Sequence, residues 1–304
     1  MTMAVNNSLQ KAADKPKFSV AIQSDMYKKL INSTLSDPAQ AKRFIASVSS
    51  AVAVSPVLQE CEAASILSSA LLGEALGLSP SPQLGQYYMV PYKKNDKNGN
   101  FICTQAQFQL GYKGYIQLAL RSGQYADIDV IEIREGEHKG RDRNTGKHIF
   151  EFIEDDDLRE SLPIIGYMAY FEYLNGFRKV LYWSKTKMEN HADKYSKAFS
   201  MDAYRRLQAG QIPKNELWKY SSYWYTDFDG MAFKTMLRQL ISKWGIMSIE
   251  MQKAFDADMG VLHEDGQVDY VDNSEDQGDA PIPHDAPVEP ISEEGDPLSF
   301  FDKK

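Results

Sequence analysis

Lysine, arginine and glutamine recur at regular spacing between Gln105 and Arg121, QAQFQLGYKGYIQLALR. Lys113, Gln117 and Arg121 stand four residues apart, which makes one polar row on a helix. At 1.5 Å rise per residue the two basic ends of that row lie about 12 Å apart. Upstream, Gln105, Gln107 and Gln109 alternate with Ala106, Phe108 and Leu110. A period of two predicts a strand with one wet, amide-lined face and one core face. Cations that take phosphates, continued by amides, suit a long polyanion better than a small substrate, and nucleic acid is the natural candidate. A second basic pair, Lys234 and Arg238, lies one turn apart beside the apolar stripe Phe233, Leu237, Leu240, Ile241 and Trp244. Lys243 projects from the opposite side of that helix. Tyr112 belongs to a crowd of tyrosines (87, 88, 92, 112, 115, 125), most suited to packing and one or two to stacking on unpaired bases.

Other chemistries find little support. Gly140 to His148, GRDRNTGKH, misses the phosphate-binding loop pattern: it is one residue too long, His148 replaces the magnesium-holding hydroxyl, and a strand follows. A basic hairpin turn accounts for it better. No Gly-x-Gly-x-x-Gly cradle and no Gly-x-Ser-x-Gly elbow occurs, so no cofactor is implied. The five histidines lack metal-ligand spacing, and Glu154 to Asp157 suits a solvated turn. Dispersed carboxylates such as Glu132, Glu135 and Glu137 leave room for a metal-dependent nuclease as the lesser alternative.

The elements that must position these residues follow from punctuation and period. Asp37-Pro38 opens a helix through Phe44, Ile45 and Val48, and Pro56 opens another that closes at Gly77. Strands at 87–92 and 101–110 flank a loop whose Asn98-Gly99 predicts a hairpin. Asp127 to Arg134 alternates, with His148 to Ile153 as a possible partner strand. Ile164–Leu174 and Phe177–Trp183 form a hairpin turning at Asn175-Gly176. Helices follow at 186–194, 227–244 and 249–255, and residues 197–225 read as a helix or an ordered lid.

Composition sets the remaining bounds. The 304 residues carry a net charge of −8. From Asp256 to the end there are 15 acidic and 2 basic residues, leaving 32 basic and 27 acidic in the rest. An acidic tail on a mildly basic body often accompanies polyanion binding. Residues 1–23 are expected to be disordered, 24–256 to form the folded domain, and 257–304 to form an acidic disordered tail ending in an apolar tip. Two cysteines, Cys61 and Cys103, among apolar neighbours suit a reducing cytoplasm. No apolar run is long enough to span a membrane.

Several motifs in order resemble the RecT-type phage recombinases, single-strand annealing proteins related to Redβ. They are ALGLSPSPQLGQYYMVPY (75–92), QFQLGYKGYIQLALRSG (107–123), VIEIREGE (130–137), Trp183-Ser184-Lys185, and GMAFKTMLRQLISKWGIMSIE (230–250). The resemblance spans about residues 24 to 255. It implies an α+β fold, a small antiparallel sheet with hairpins packed on helices. It also implies ATP-independent binding of single-stranded DNA, oligomerisation into a filament or ring, and pairing through an annealed duplex intermediate. A partner exonuclease is implied, with the host's single-strand binding protein as a further candidate partner for the tail. Lys113, Arg121, Lys234 and Arg238 match basic positions of the family. Gln105, Gln107, Gln117, Tyr112, Lys185 and Arg134 complete the candidate DNA-binding set. Phe233 stands where the family commonly has the first of two lysines, so weight falls on Lys234. No bond of DNA changes in annealing, so the chain is expected not to be an enzyme. The main alternative is a protective single-strand binder that does not anneal.

Overall fold

Asp37 starts the first long helix as its position before Pro38 predicts: its carboxylate accepts from the backbone N–H of Ala39 and Gln40. The computed structural model describes residues 17–95, 100–196 and 198–258, and the backbone of 261–262 and 268–269. Four helices come first: α1 (Phe18–Ala21), α2 (Asp25–Thr34), α3 (Pro38–Ala53) and α4 (Ala63–Ala75). Phe18 and Ile22 are buried in the core, so order begins before residue 24. Pro56 does not open α4. Residues 58–60 form a short 3-10 turn, Cys61 bridges to Thr104, and the Glu62 N–H donates to the Thr104 carbonyl before the helix begins.

Strands β1 (Tyr87–Asn95) and β2 (Phe101–Leu110) pair antiparallel, with Tyr87 opposite Leu110 and Val90 opposite Gln107. Asn98-Gly99 lies outside the described residues. Helix α5 (Tyr112–Arg121) follows β2 directly. A Cβ at Gly111 or Gly114 would collide with the backbone carbonyls of Gly85 or Gln86, so the turn needs both glycines. That close approach packs loop 85–86 onto the start of α5, where the Gly111 N–H donates to the Gln86 carbonyl at 2.9 Å.

Next come β3 (Tyr125–Arg134), β4 (His138–Arg141), β5 (His148–Phe150), α6 (Asp156–Ser161), β6 (Ile164–Tyr173) and β7 (Arg178–Ser184). The main sheet has the order β3-β6-β7, all antiparallel. Of the expected partner of β3, residues 148–153, only His148–Phe150 form a strand, and it pairs instead with His138–Arg141 as a separate two-stranded ribbon. The longer alternating strand β6 offers β3 a full-length ladder, which the short β5 cannot.

Helices α7 (Lys185–Tyr195), α8 (Met201–Gln208), α9 (Tyr223–Thr226), α10 (Phe228–Trp244) and α11 (Ile249–Ala257) complete the body. Residues 197–225 thus hold α8, a 3-10 turn at 214–219 and the start of α9. Helix α10 crosses β3, β6 and β7 and packs against α5. Its Met236, Leu237, Leu240 and Ile241 are fully buried. Among the described residues no helix is long and apolar enough to cross a membrane.

The composition-based boundary at 256 falls inside the folded body. Asp258 is buried, and strand β8 (Val261–Leu262), paired with β9 (Val268–Asp269), lies against β2 and α4. Acidic character alone does not expel a segment when its carboxylate finds buried donors.

Candidate nucleic-acid interface

Lys113 is exposed at the second position of α5, whose N-cap, Gly111, supplies no capping side chain. The positive end of the helix dipole therefore lies beside an open ammonium group. With Gln83, Leu84, Gln86, Ile116 and Gln117, Lys113 lines a shallow surface depression. No carboxylate pairs with it among the described residues. Its ammonium lies 5.8 Å from the Tyr112 ring centroid, and Tyr112 packs edge-on against Phe233 at 5.4 Å. Burial, then the charges of Asp227, Asp129 and Glu132, raise the Tyr112 hydroxyl pKa.

Arg121, at the other end of the row, is committed elsewhere. Its guanidinium donates to the carbonyls of Leu76 at 2.9 Å and Gly77 at 2.8 Å, closing the C-terminus of α4. The sequence predicts one open row; the structure divides it into an open lysine and a capping arginine.

Lys234 turns inward, and Arg238 beside it is half-buried. Asp258, with no exposed side-chain surface, accepts from Lys234 Nζ at 2.8 Å and Arg238 Nη1 at 2.9 Å. It also accepts from the Leu110 N–H at 2.8 Å and the Tyr115 hydroxyl at 2.9 Å. One carboxylate thus joins the end of β2, α5, α10 and the chain after α11. Lys234 is 8% exposed and Arg238 41%. Burial lowers the Lys234 pKa, and the Asp258 charge opposes that shift. The expected open basic row does not form, because a residue 24 positions away supplies its counter-charge.

The glutamine face is likewise not wet. Gln105, Gln107 and Gln109 are all buried, as is the opposite face of the strand. Gln105 Nε2 reaches Glu62 at 3.4 Å and Gln109 Nε2 reaches the Tyr92 hydroxyl at 3.1 Å. Both amide atoms of Gln107 lack a hydrogen-bond partner among the described residues. Arg134 is also internal: it donates to the Leu162 carbonyl at 2.9 Å and pairs with Glu132 at 3.1 Å. Glu137, fully buried, binds Arg159 at 2.6 Å and the Arg134 N–H at 2.7 Å. Burial works to raise its carboxyl pKa, but the Arg159 and backbone hydrogen bonds hold it below the ordinary value. Glu132 and Glu137 therefore carry arginines rather than an open ligand set. Among the described residues no three His, Cys, Asp or Glu side chains converge as a metal site.

Lys185 begins α7 directly after Ser184, whose hydroxyl accepts from the Lys187 N–H. Two further lysines, one on β7 and one on α7, lie over tryptophan rings. Lys187 Nζ lies 4.4 Å from the Trp183 ring centroid, and Lys179 Nζ 4.3 Å from that of Trp244. Burial, then the charges of Lys243 and Arg141, lower the Lys187 pKa. The sequence trace of the Lys187 contact is its four-residue spacing from Trp183.

Small antiparallel sheets backed by helices, with the RecT-type motifs at their junctions, define a single-strand annealing protein of DNA recombination. Residues 42–276 match the model of the RecT family, and the chain belongs to that family. It is similar to the uncharacterized protein YqaK of Bacillus subtilis (strain 168), 35% identical over 313 aligned positions covering 97% of this chain and 95% of that protein. It is also similar to protein RecT of Escherichia coli (strain K12), 28% identical over 254 positions, 77% of this chain and 81% of that protein.

Proposed function

We propose that the protein binds single-stranded DNA through its backbone and pairs it with a complementary strand without hydrolysing a nucleotide. It does so as an oligomer on the strand, beside an exonuclease that exposes the DNA. The observation that carries this function is Lys113, exposed at the start of α5 and without a carboxylate partner among the described residues, above a depression lined by Gln83, Gln86 and Gln117. One ammonium, a helix N-terminus and several amides bind phosphate and sugar and read no base edge. Base edges then stay free for a second strand, and base pairing supplies the specificity. Holding the first strand in an extended order removes much of the entropic barrier to pairing.

The test compares the full-length protein with Lys113→Gln. Affinity for oligo(dT) and for a mixed-sequence strand should fall to the same extent. The salt dependence of binding should flatten by about 0.7, the share of one phosphate on a single strand. An unchanged slope removes Lys113 from the site. A pairing assay with complementary oligonucleotides separates annealing from simple protection: the protein should speed pairing, whereas a protective binder slows it.

A further inference from the structure

We propose that copies of this chain join head to tail, the Phe177–Trp244–Ile246 surface of one protomer seated on the Phe152–Leu158 surface of the next. The contact is the one by which the oligomer proposed above grows, and it rests on that reading. The first surface gathers around the buried Tyr173. The Phe177 ring stacks on the Tyr173 ring, 5.8 Å between centroids. The Tyr173 hydroxyl donates to the Trp244 carbonyl at 2.7 Å and accepts from the Ile246 N–H at 2.7 Å. Phe177, Trp244 and Ile246 are nevertheless 49%, 38% and 46% exposed. Lys179, whose Nζ lies 4.3 Å from the Trp244 ring centroid, and the exposed Lys243 make this surface positive. Neither is ion-paired among the described residues.

The second surface gathers around Glu137. Its Oε1 accepts from the Ile153 N–H at 3.4 Å and from Arg159 Nε at 2.6 Å, which draws their neighbours Phe152 and Leu158 to one place. These two are 44% and 51% exposed. The stretch Glu151–Glu160 holds six carboxylates and one arginine, and that arginine is turned inward to Glu137. Exposed apolar groups gathered in a patch and rimmed by charge mark an interaction surface, as scattered single ones do not.

The two surfaces stand at opposite ends of one sheet. Tyr125, at the start of β3, pairs with Tyr173 and donates its hydroxyl to the Ile246 carbonyl at 2.9 Å. Arg134, at the other end of β3, donates its backbone N–H to Glu137 at 2.7 Å. Between them the ten residues of β3 extend about 30 Å. No protomer can therefore bring its own two surfaces together. Pairing either surface with its own copy sets lysine against lysine or carboxylate against carboxylate. Pairing the unlike surfaces matches the charges and takes exposed apolar side chains out of water. Each added copy then leaves one fresh surface at either end, so the contact propagates into a ring or an open filament.

Sedimentation velocity of the full-length protein, with and without oligo(dT), reads the assembly. One variant, Ile246→Asp with Lys243→Glu, spoils the positive surface. The other, Phe152→Lys with Leu158→Lys, spoils the negative one. Each alone should need a protein concentration at least about tenfold higher to assemble, the loss expected of a buried anchor. Mixed in equal amounts they should form one-to-one dimers and grow no further, since each keeps one intact surface. Both should bind a short oligo(dT) within about twofold of the parent, because Lys113 belongs to neither surface. Should a variant fail to fold, the single reversals Lys243→Glu and Asp157→Lys, both at exposed positions, take its place. Each should weaken assembly, and the two in one chain should restore it. A mixture that stays monomeric, or a variant that assembles as the parent does, overturns the head-to-tail contact and leaves the oligomer standing. A parent that stays monomeric at every concentration, with and without oligo(dT), sinks the oligomer itself and the contact with it.

Discussion

Lys234 Nζ stands 2.8 Å from Asp258 Oδ1 inside the protein, the lysine 8% exposed and the aspartate not at all. Arg238 holds the other carboxylate oxygen at 2.9 Å. The centre contains two cations and one anion, closed by the Leu110 N–H and the Tyr115 hydroxyl. It ties the residue after α11 to the strand-turn-helix at the middle of the fold. Its role is to position α5 and α10 against β2.

Asp258→Ala should therefore destabilise the protein severely, by about 3–5 kcal/mol, because it strands two cations that share one buried partner. Urea denaturation of the full-length variant checks this. A loss under about 1 kcal/mol would show that the cations relax to solvent, where an ion pair is worth little.

Lys234→Ala and Lys113→Gln should part company. The first leaves Asp258 short of a partner and should lower stability, again by about 3 kcal/mol, while leaving the salt slope of DNA binding intact under conditions where it is folded. The second should leave stability alone and flatten the slope. Arg121→Ala should behave as a weaker version of the first, losing about 1 kcal/mol with the cap of α4. Thermal melts beside salt titrations of oligo(dT) affinity decide each case.

Truncation has a boundary that the same centre dictates. Ending the chain at residue 257 removes Asp258 and should abolish stable folding. Ending it at residue 272 keeps the buried carboxylate and removes nine acidic residues (275, 276, 279, 285, 289, 293, 294, 296 and 302). Pairing of naked oligonucleotides by that shorter protein should be as fast as, or faster than, that of the full chain. Stopped-flow annealing measures this, and a loss of pairing would place the tail in the mechanism.

Acid should loosen the β4–β5 ribbon. His138 Nε2 and His148 Nδ1 lie 2.9 Å apart in a hydrogen bond that needs one ring nitrogen to be unprotonated. Burial, then the charges of Arg141 and His138, lowers the His148 pKa below its ordinary value. A histidine depressed in the folded state binds its proton more readily when unfolded, so stability falls as pH drops below about 6.5 and is unaffected above it. His148→Gln should flatten the dependence of melting temperature on pH between about 7 and 5, the range that spans the histidine titration. An identical dependence in variant and parent would remove the histidine pair as its source.

Local rules made much of this chain legible. The Asp37-Pro38 start, the Asn175-Gly176 hairpin, the strand at 101–110 and the change from strand to helix at Gly111 depend on neighbours a few residues apart, and each recurs in the structure. Helix α10 also follows from its own stripe, with the Asp227 carboxylate capping the Gly230 N–H. The family motifs sit at these same junctions.

What the order of residues could not contain was the second layer. Alternation shows that the glutamines share a face, but the covering of that face depends on elements distant in the chain. Spacing puts Lys234 and Arg238 on one helix side, yet their counter-charge arrives from residue 258. Periodicity is a property of the local backbone and is written in the sequence itself. Solvation and pairing of a charge depend on which distant surfaces close over it, and that is decided when the layers pack.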